Sequence, residues 1–202
     1  MRIFLAGATG VLGTALVPLL IAAGHEVAGM TRSRGKATLL VDAGAEPVVC
    51  DAFDAVALTA AVTAYAPELV MHQLTDLPDD PAKIAEGRIA NARIRREGTA
   101  NLLAAAAAAG ATRFVAQSVA WAMTGEGEAA KQFLEQSVLS TGGVVLRYGQ
   151  FHGPGTYYQD ALPEPPRIEI AEAAARTARA LELTTGIYEL TDAGAQDFLV
   201  VS

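Results

Sequence analysis

The sequence predicts an α/β protein, a doubly wound parallel sheet with helices on both faces. Two observations carry this. Short aliphatic runs alternate with helical patterns nearly to the end of the chain, and strands joined through helices require crossovers that leave a parallel sheet covered on both sides. The first of these units also holds a glycine-spaced turn, Gly7-Ala8-Thr9-Gly10-Val11-Leu12-Gly13, between a strand from Arg2 to Ala6 and an apolar run to Ala23.

The elements follow in order. Glu26 to Met30 reads as the second strand after the Gly24-His25 turn, and Lys36 to Ala43 as a short helix. Glu46 to Cys50 is a third strand, Asp54 to Ala64 a helix with Asp54 as its N-cap, and Glu68 to Leu74 a fourth strand. A long helical region follows Pro81 and stops near Gly110, a residue suited to a C-cap. Arg113 to Ser118 gives the fifth strand, Glu128 to Leu139 a helix, and Gly143 to Tyr148 the sixth strand. A last helix over Glu169 to Leu183 and a seventh strand over Gly186 to Leu190 complete the pattern. The alanine run Ala104 to Ala109 is a strong helix former that packs closely. No repeat and no linker divides the 202 residues, so one domain is expected over 1–202.

Bulk properties bound the function. A chain 51% hydrophobic and 18% charged buries a substantial core, and a net charge of −7 argues against a general nucleic-acid or anionic-membrane surface. Among Arg88, Arg93, Arg95 and Arg96 stand Glu86 and Glu97, so this cluster is expected to be a solvated helix face. The single cysteine, Cys50, cannot form an internal disulfide, which favours the cytoplasm. The stretch from Ile3 to Ala23 is interrupted by Gly7, Gly10, Gly13 and Pro18 and reads as fold-building strand and helix, not as a leader or membrane span.

The glycine turn has the context of a dinucleotide site. Gly7 suits the tight turn, Gly10 lets backbone approach a pyrophosphate, and Gly13 allows close helix–strand packing, while the helix N-terminus offers free N–H groups to the anion. After the second strand, enzymes selective for NAD carry a carboxylate for the ribose 2′-OH. Here the run is Thr31-Arg32-Ser33-Arg34. An Arg fork binds a 2′-phosphate, so NADP is expected in preference to NAD, with a basic surface turn as the alternative.

Four segments in order resemble the NAD(P)-dependent epimerase/dehydratase group of the extended short-chain dehydrogenases/reductases, a Rossmann-fold family. They are the glycine turn; His72-Gln73-Leu74-Thr75; Glu97 to Leu103 with Arg113 to Ser118; and Leu146-Arg147-Tyr148-Gly149-Gln150-Phe151-His152-Gly153-Pro154-Gly155. The resemblance implies that Gly7, Thr9, Gly10, Val11 and Leu12 wrap the pyrophosphate. It places Asp51, beside Ala52, at the adenine amino group (a loop cap is the alternative), and Gln73, Leu74 and Thr75 against the cofactor riboses. His72, one residue earlier on the strand, is expected to face the packing layer. Ser118 matches the family's substrate-facing serine, with a ribose contact or a strand-end cap as alternatives, and Lys131 stands on the helix of the family's Tyr-x-x-x-Lys relay.

The pattern then fails. Gly127 stands where the relay tyrosine belongs, and none of Tyr65, Tyr148, Tyr157, Tyr158 or Tyr188 is followed by Lys at that spacing. Arg95 stands where many relatives carry Asn. Only Thr156 to about Arg167, with three prolines, separates the Gly-Pro-Gly turn from the returning helix, so 151–202 reads as a reduced remnant of a substrate-binding portion. The nicotinamide end is then expected to be open to solvent or closed by a second subunit in a homodimer, the subunit being the lid where hydride chemistry needs water excluded. The reading is an NADP-dependent oxidoreductase acting on a small molecule without the usual relay; the alternative is a non-catalytic NADP-binding sensor. No metal site is expected.

Overall fold

The computed structural model describes residues 1–193 and 198–201. Arg2–Ala6 (β1), Glu26–Thr31 (β2), Glu46–Val49 (β3), Leu69–His72 (β4), Arg113–Val119 (β5), Val144–Tyr148 (β6) and Gly186–Leu190 (β9) run parallel in the order β3-β2-β1-β4-β5-β6-β9. The sequence reading expects seven strands; an eighth, Leu199–Val201 (β10), adds antiparallel to β9. Gln150–His152 (β7) and Arg167–Glu169 (β8) form a separate small parallel pair.

Strand alternation sorts the core into two layers. Ile3 and Leu5 point to one face, where Leu16 and Leu20 of helix Val11–Ala22 (α1) meet Ala173 and Ala174 of helix Ile170–Arg179 (α7). Phe4 and Ala6 point to the other, against Leu58 and Val62 of Ala55–Tyr65 (α3), Leu102 and Ala105 of Thr99–Ala108 (α5) and Leu134 of Gly125–Ser140 (α6). Being covered on both faces is why these strands read as continuous apolar runs. The alanine run contributes its small side chains to the α3–α5 contact, with Ala105 fully buried. Helix Ala37–Asp42 (α2) tucks Leu40 under the β2 end of the first layer.

Local chemistry sets the element ends. Asp54 caps α3 as expected, accepting the Ala57 N–H at 3.0 Å. The long helix expected after Pro81 is broken into a 3-10 turn Pro81–Lys83, helix Arg88–Arg93 (α4), a π-helical turn Ile94–Gly98 and α5. Gly87 starts α4, and a Cβ at Gly98 would stand 2.7 Å from Ile94 Cδ1. The widened turn is filled by that isoleucine. No helix among the described residues is long and apolar enough to cross a membrane.

Candidate functional site

The C-terminal ends of β1, β2, β4 and β5 and the N-terminus of α1 meet along one edge of the sheet, where open α/β sheets take their ligands. Gly7 has φ +93°, and a Cβ there would stand 2.5 Å from the Gln73 carbonyl oxygen. At Gly13 a Cβ would stand 2.3 Å from the Gly7 carbonyl oxygen. Both positions therefore require glycine on steric grounds, one for the turn and one for helix–strand contact. Gly10, exposed, is the N-cap of α1 and has no side chain to occupy the first-turn N–H groups of Val11 and Leu12. An open cradle of backbone donors, with no Cβ in the way, fits a dinucleotide pyrophosphate.

The specificity turn is tied to the cradle. Thr9 Oγ1 donates to Thr31 Oγ1 at 2.9 Å, and the same oxygen accepts the Ser33 N–H at 3.2 Å. Thr31 is thereby buried and spent on local structure. Ser33 and Arg34 are exposed at the start of a short 3-10 turn, and Arg32 is half-exposed, its Nη2 2.8 Å from Asp76 Oδ1. Asp76 in turn is held by its N–H, which donates to Asn91 Oδ1 at 3.1 Å. No carboxylate stands at the end of β2 itself.

Asp51 caps its own loop, accepting the Phe53 N–H at 2.9 Å, and Ala52 is buried with its carbonyl accepting Asn101 Nδ2 at 2.8 Å. Leu74 is partly buried and Thr75 exposed at the mouth beyond β4. Gln73 has its side chain buried beside the Tyr148 hydroxyl. It meets the glycine cradle through its backbone carbonyl, because strand parity turns its side chain inward. His72 faces the packing layer as parity predicts. Its Nδ1 accepts the Leu74 N–H at 3.3 Å, so Nε2 carries the proton toward Thr99 Oγ1 at 2.9 Å. Full burial, with the Arg95 charge adding, pulls its pKa down to about 3, so the ring is neutral.

The Ser118 hydroxyl is buried and donates to Glu135 Oε1 at 2.6 Å. Arg147 Nε and Nη2 close on the same carboxylate at 2.8 and 2.7 Å. Ser118 and Arg147 are register partners on β5 and β6, and α6 lays Glu135 across them. Sequence reasoning missed Glu135 and Arg147. The available signal was a charge, Arg147, inside a strand otherwise made of buried apolar residues, and a Glu one helical turn beyond Lys131.

Lys131 is buried on α6, its Nζ donating to the Trp121 carbonyl at 3.1 Å. One turn earlier stands Gly127, where a Cβ would meet Met123 Cε at 3.0 Å. The face that would carry the relay phenol is thus covered by a thioether. The tyrosines are engaged elsewhere: Tyr148 with Thr177 at 2.7 Å, Tyr157 with the Pro78 carbonyl, Tyr158 with Gln150 at 3.3 Å and Tyr188 with the Thr184 carbonyl at 2.9 Å. Tyr65 Oη is buried beside the Ala28 backbone. The basic cluster divides. Arg88 is exposed, Arg93 pairs with Glu97 over the Phe53 ring and Arg96 pairs with Glu126, but Arg95 is only 6% exposed and does not belong to a solvated face.

Comparison with known proteins agrees with this geometry. Over 185 residues the chain is 42% identical to a 3-diazoavenalumate denitrifying reductase of a Streptomyces species, a match covering 78% of this chain and 59% of that protein. The chain therefore spans less than two thirds of that relative. In fold it matches the UDP-glucose 4-epimerase of Thermus thermophilus in complex with NAD at a TM-score of 0.77 and 20% identity, covering 95% of this chain and 78% of the other. It also matches the UDP-Glc/GlcNAc 4-epimerase of Campylobacter jejuni at 0.78 and 12%, again over 95% and 78%. The family model for the NAD dependent epimerase/dehydratase family matches residues 3–141, which contain the glycine cradle, the β4 and β5 ends and the relay helix, and the chain belongs to that family.

Proposed function

We propose that this chain binds NADPH in preference to NADH and passes its hydride to a small electrophile that takes no proton from the enzyme, a diazo compound being the class favoured. When bound, the nicotinamide supplies the hydride; the chain's own residues hold it and exclude a competing proton relay. The observation that carries the reading is Gly127 under Met123 on the helix that still keeps Lys131.

Chemistry explains why such a site suits a diazonium. A reduced ketone leaves an alkoxide that must be protonated, which is the task of a tyrosine acid. An arenediazonium cation that gains a hydride becomes, in net balance, an arene and N2: the C–N bond breaks, a C–H bond forms, two electrons enter from NADPH, and no proton is consumed. Positioning then carries the rate. The 42% identity to a reductase named for denitrifying a diazo compound supports the same class.

The test is NADPH oxidation, with N2 release, against benzenediazonium, benzaldehyde and a benzoquinone, each corrected for the reaction without protein. Enzyme-dependent turnover of the diazonium above the aldehyde is expected. Single Tyr→Phe variants at 65, 148, 157, 158 and 188 should leave the chemical step within a few fold. A drop of about a hundredfold in one of them, the scale of general acid catalysis, with NADPH affinity intact, would overturn the reading, as would NADPH binding without turnover of any acceptor, which is the behaviour of a sensor.

A further inference from the structure

Arg95 lies on the π-helical turn Ile94–Gly98 and is 6% exposed. A guanidinium carries five N–H donors. Among the described residues its one hydrogen bond runs from Nη1 to Met123 Sδ at 2.8 Å, and no carboxylate stands within ion-pair distance of it. A thioether is a weak acceptor. The acids that act on it from farther away have nearer partners: Glu135 holds Arg147 and Ser118, and Glu128 accepts from the Met123 N–H and from Gln132. Burying a cation with so little compensation costs the fold stability, and π-turns of this kind recur at functional sites.

Its position gives that cost a use. Met123 is the residue that covers Gly127, so Arg95 lies across one side chain from the missing phenol. Lys131, four residues on from Gly127 and on the same helix face, is anchored to Trp121. Both cations therefore hang on the Trp121–Met123 segment, just past the C-terminal end of β5, where the sheet takes its ligands. Met123 is flexible and polarizable and yields its place readily.

We propose that Arg95 receives an anionic oxygen of the hydride acceptor, a carboxylate on an aromatic or conjugated ring, displacing its contact with Met123. The planar fork of Arg matches a carboxylate with two parallel hydrogen bonds, which Lys cannot do. This rests on the hydride-transfer reading for where the acceptor lies, but it concerns binding and is read without turnover.

The experiment titrates the full chain, saturated with NADPH, with 4-hydroxycinnamate and with the neutral amide of the same ring, by calorimetry. The wild type should bind the carboxylate at least about tenfold more tightly than the amide, the least expected of hydrogen bonds to a charged group. Arg95→Met should erase that difference, leave NADPH affinity unchanged and melt at the same or a higher temperature, because a neutral side chain replaces an ill-paired buried charge. Arg95→Lys should recover only part of the preference. Equal binding of carboxylate and amide by the wild type overturns the proposal. So does wild-type carboxylate affinity in Arg95→Met, or a lowered melting temperature in that variant, which marks a structural residue. Failure to bind NADPH at all would instead strike the function proposed above.

Discussion

Ser118 and Arg147 stand side by side on β5 and β6 and share one carboxylate, that of Glu135, at 2.6 to 2.8 Å. The arrangement locks α6, and with it Lys131 and Gly127, onto the sheet. Glu135→Ala leaves Arg147 without its closest partner in a largely buried place. Breaking such a pair costs about 3 kcal/mol or more, which for a chain of this length lowers Tm by roughly 6 °C or more. Replacing both partners, Glu135→Leu with Arg147→Met, should recover part of the loss. Thermal melts of the three proteins check this; an unchanged Tm in Glu135→Ala would show that the pair does not fasten the helix.

The Arg32–Asp76 ion pair, 2.8 Å long and half-exposed, competes with a 2′-phosphate for the same guanidinium. Exposed pairs contribute about 0–1 kcal/mol, whereas a charge-assisted phosphate contact contributes about 1.5–3 kcal/mol, so the phosphate wins. Asp76→Asn should tighten NADPH binding several fold and leave NADH alone. Arg32→Ala should cost NADPH roughly tenfold and erase most of the preference. Fluorescence titrations with both cofactors decide it, and equal wild-type affinities would refute the choice of NADP.

Gly10 and Gly13 should respond differently to substitution. A Cβ at Gly13 stands 2.3 Å from a backbone oxygen that cannot move aside, so Gly13→Ala should lose the fold or several degrees of Tm. At Gly10 the nearest atom is 3.3 Å away and the residue is exposed, so Gly10→Val should fold yet lose dinucleotide binding because its branches fill the cradle. A folded Gly10→Val with unchanged NADPH affinity would place the cofactor elsewhere.

His72 makes stability depend on acid. Its pKa is about 3 in the folded protein against 6.5 for a free side chain, so the unfolded chain binds one more proton between those values. Its contribution is complete above about pH 6.5 and declines as pH falls from there toward 3, by at most about 1.4 kcal/mol per unit. His72→Gln should flatten that part of the stability–pH curve. Denaturant melts of both proteins across that range measure it; parallel curves would mean that the ring is not buried neutral.

Local pattern determined much of this molecule. The strand–turn–helix unit at Gly7 to Gly13, the parity that sends His72 into the core, the Asp54 cap and the missing relay tyrosine all follow from spacing along the chain, because turn sterics, strand alternation and helix periodicity are short-range effects. The antiparallel β10, the break of the helix after Pro81, the pairing of Arg32 with Asp76, the capture of Ser118 by Glu135 and the burial of Arg95 against Met123 were decided by residues 10 to 44 positions apart or by packing around one isoleucine. Charged side chains are long and choose partners by three-dimensional proximity and desolvation, which composition does not encode. The cradle is written in the order of the residues; the charges around it are placed by the fold.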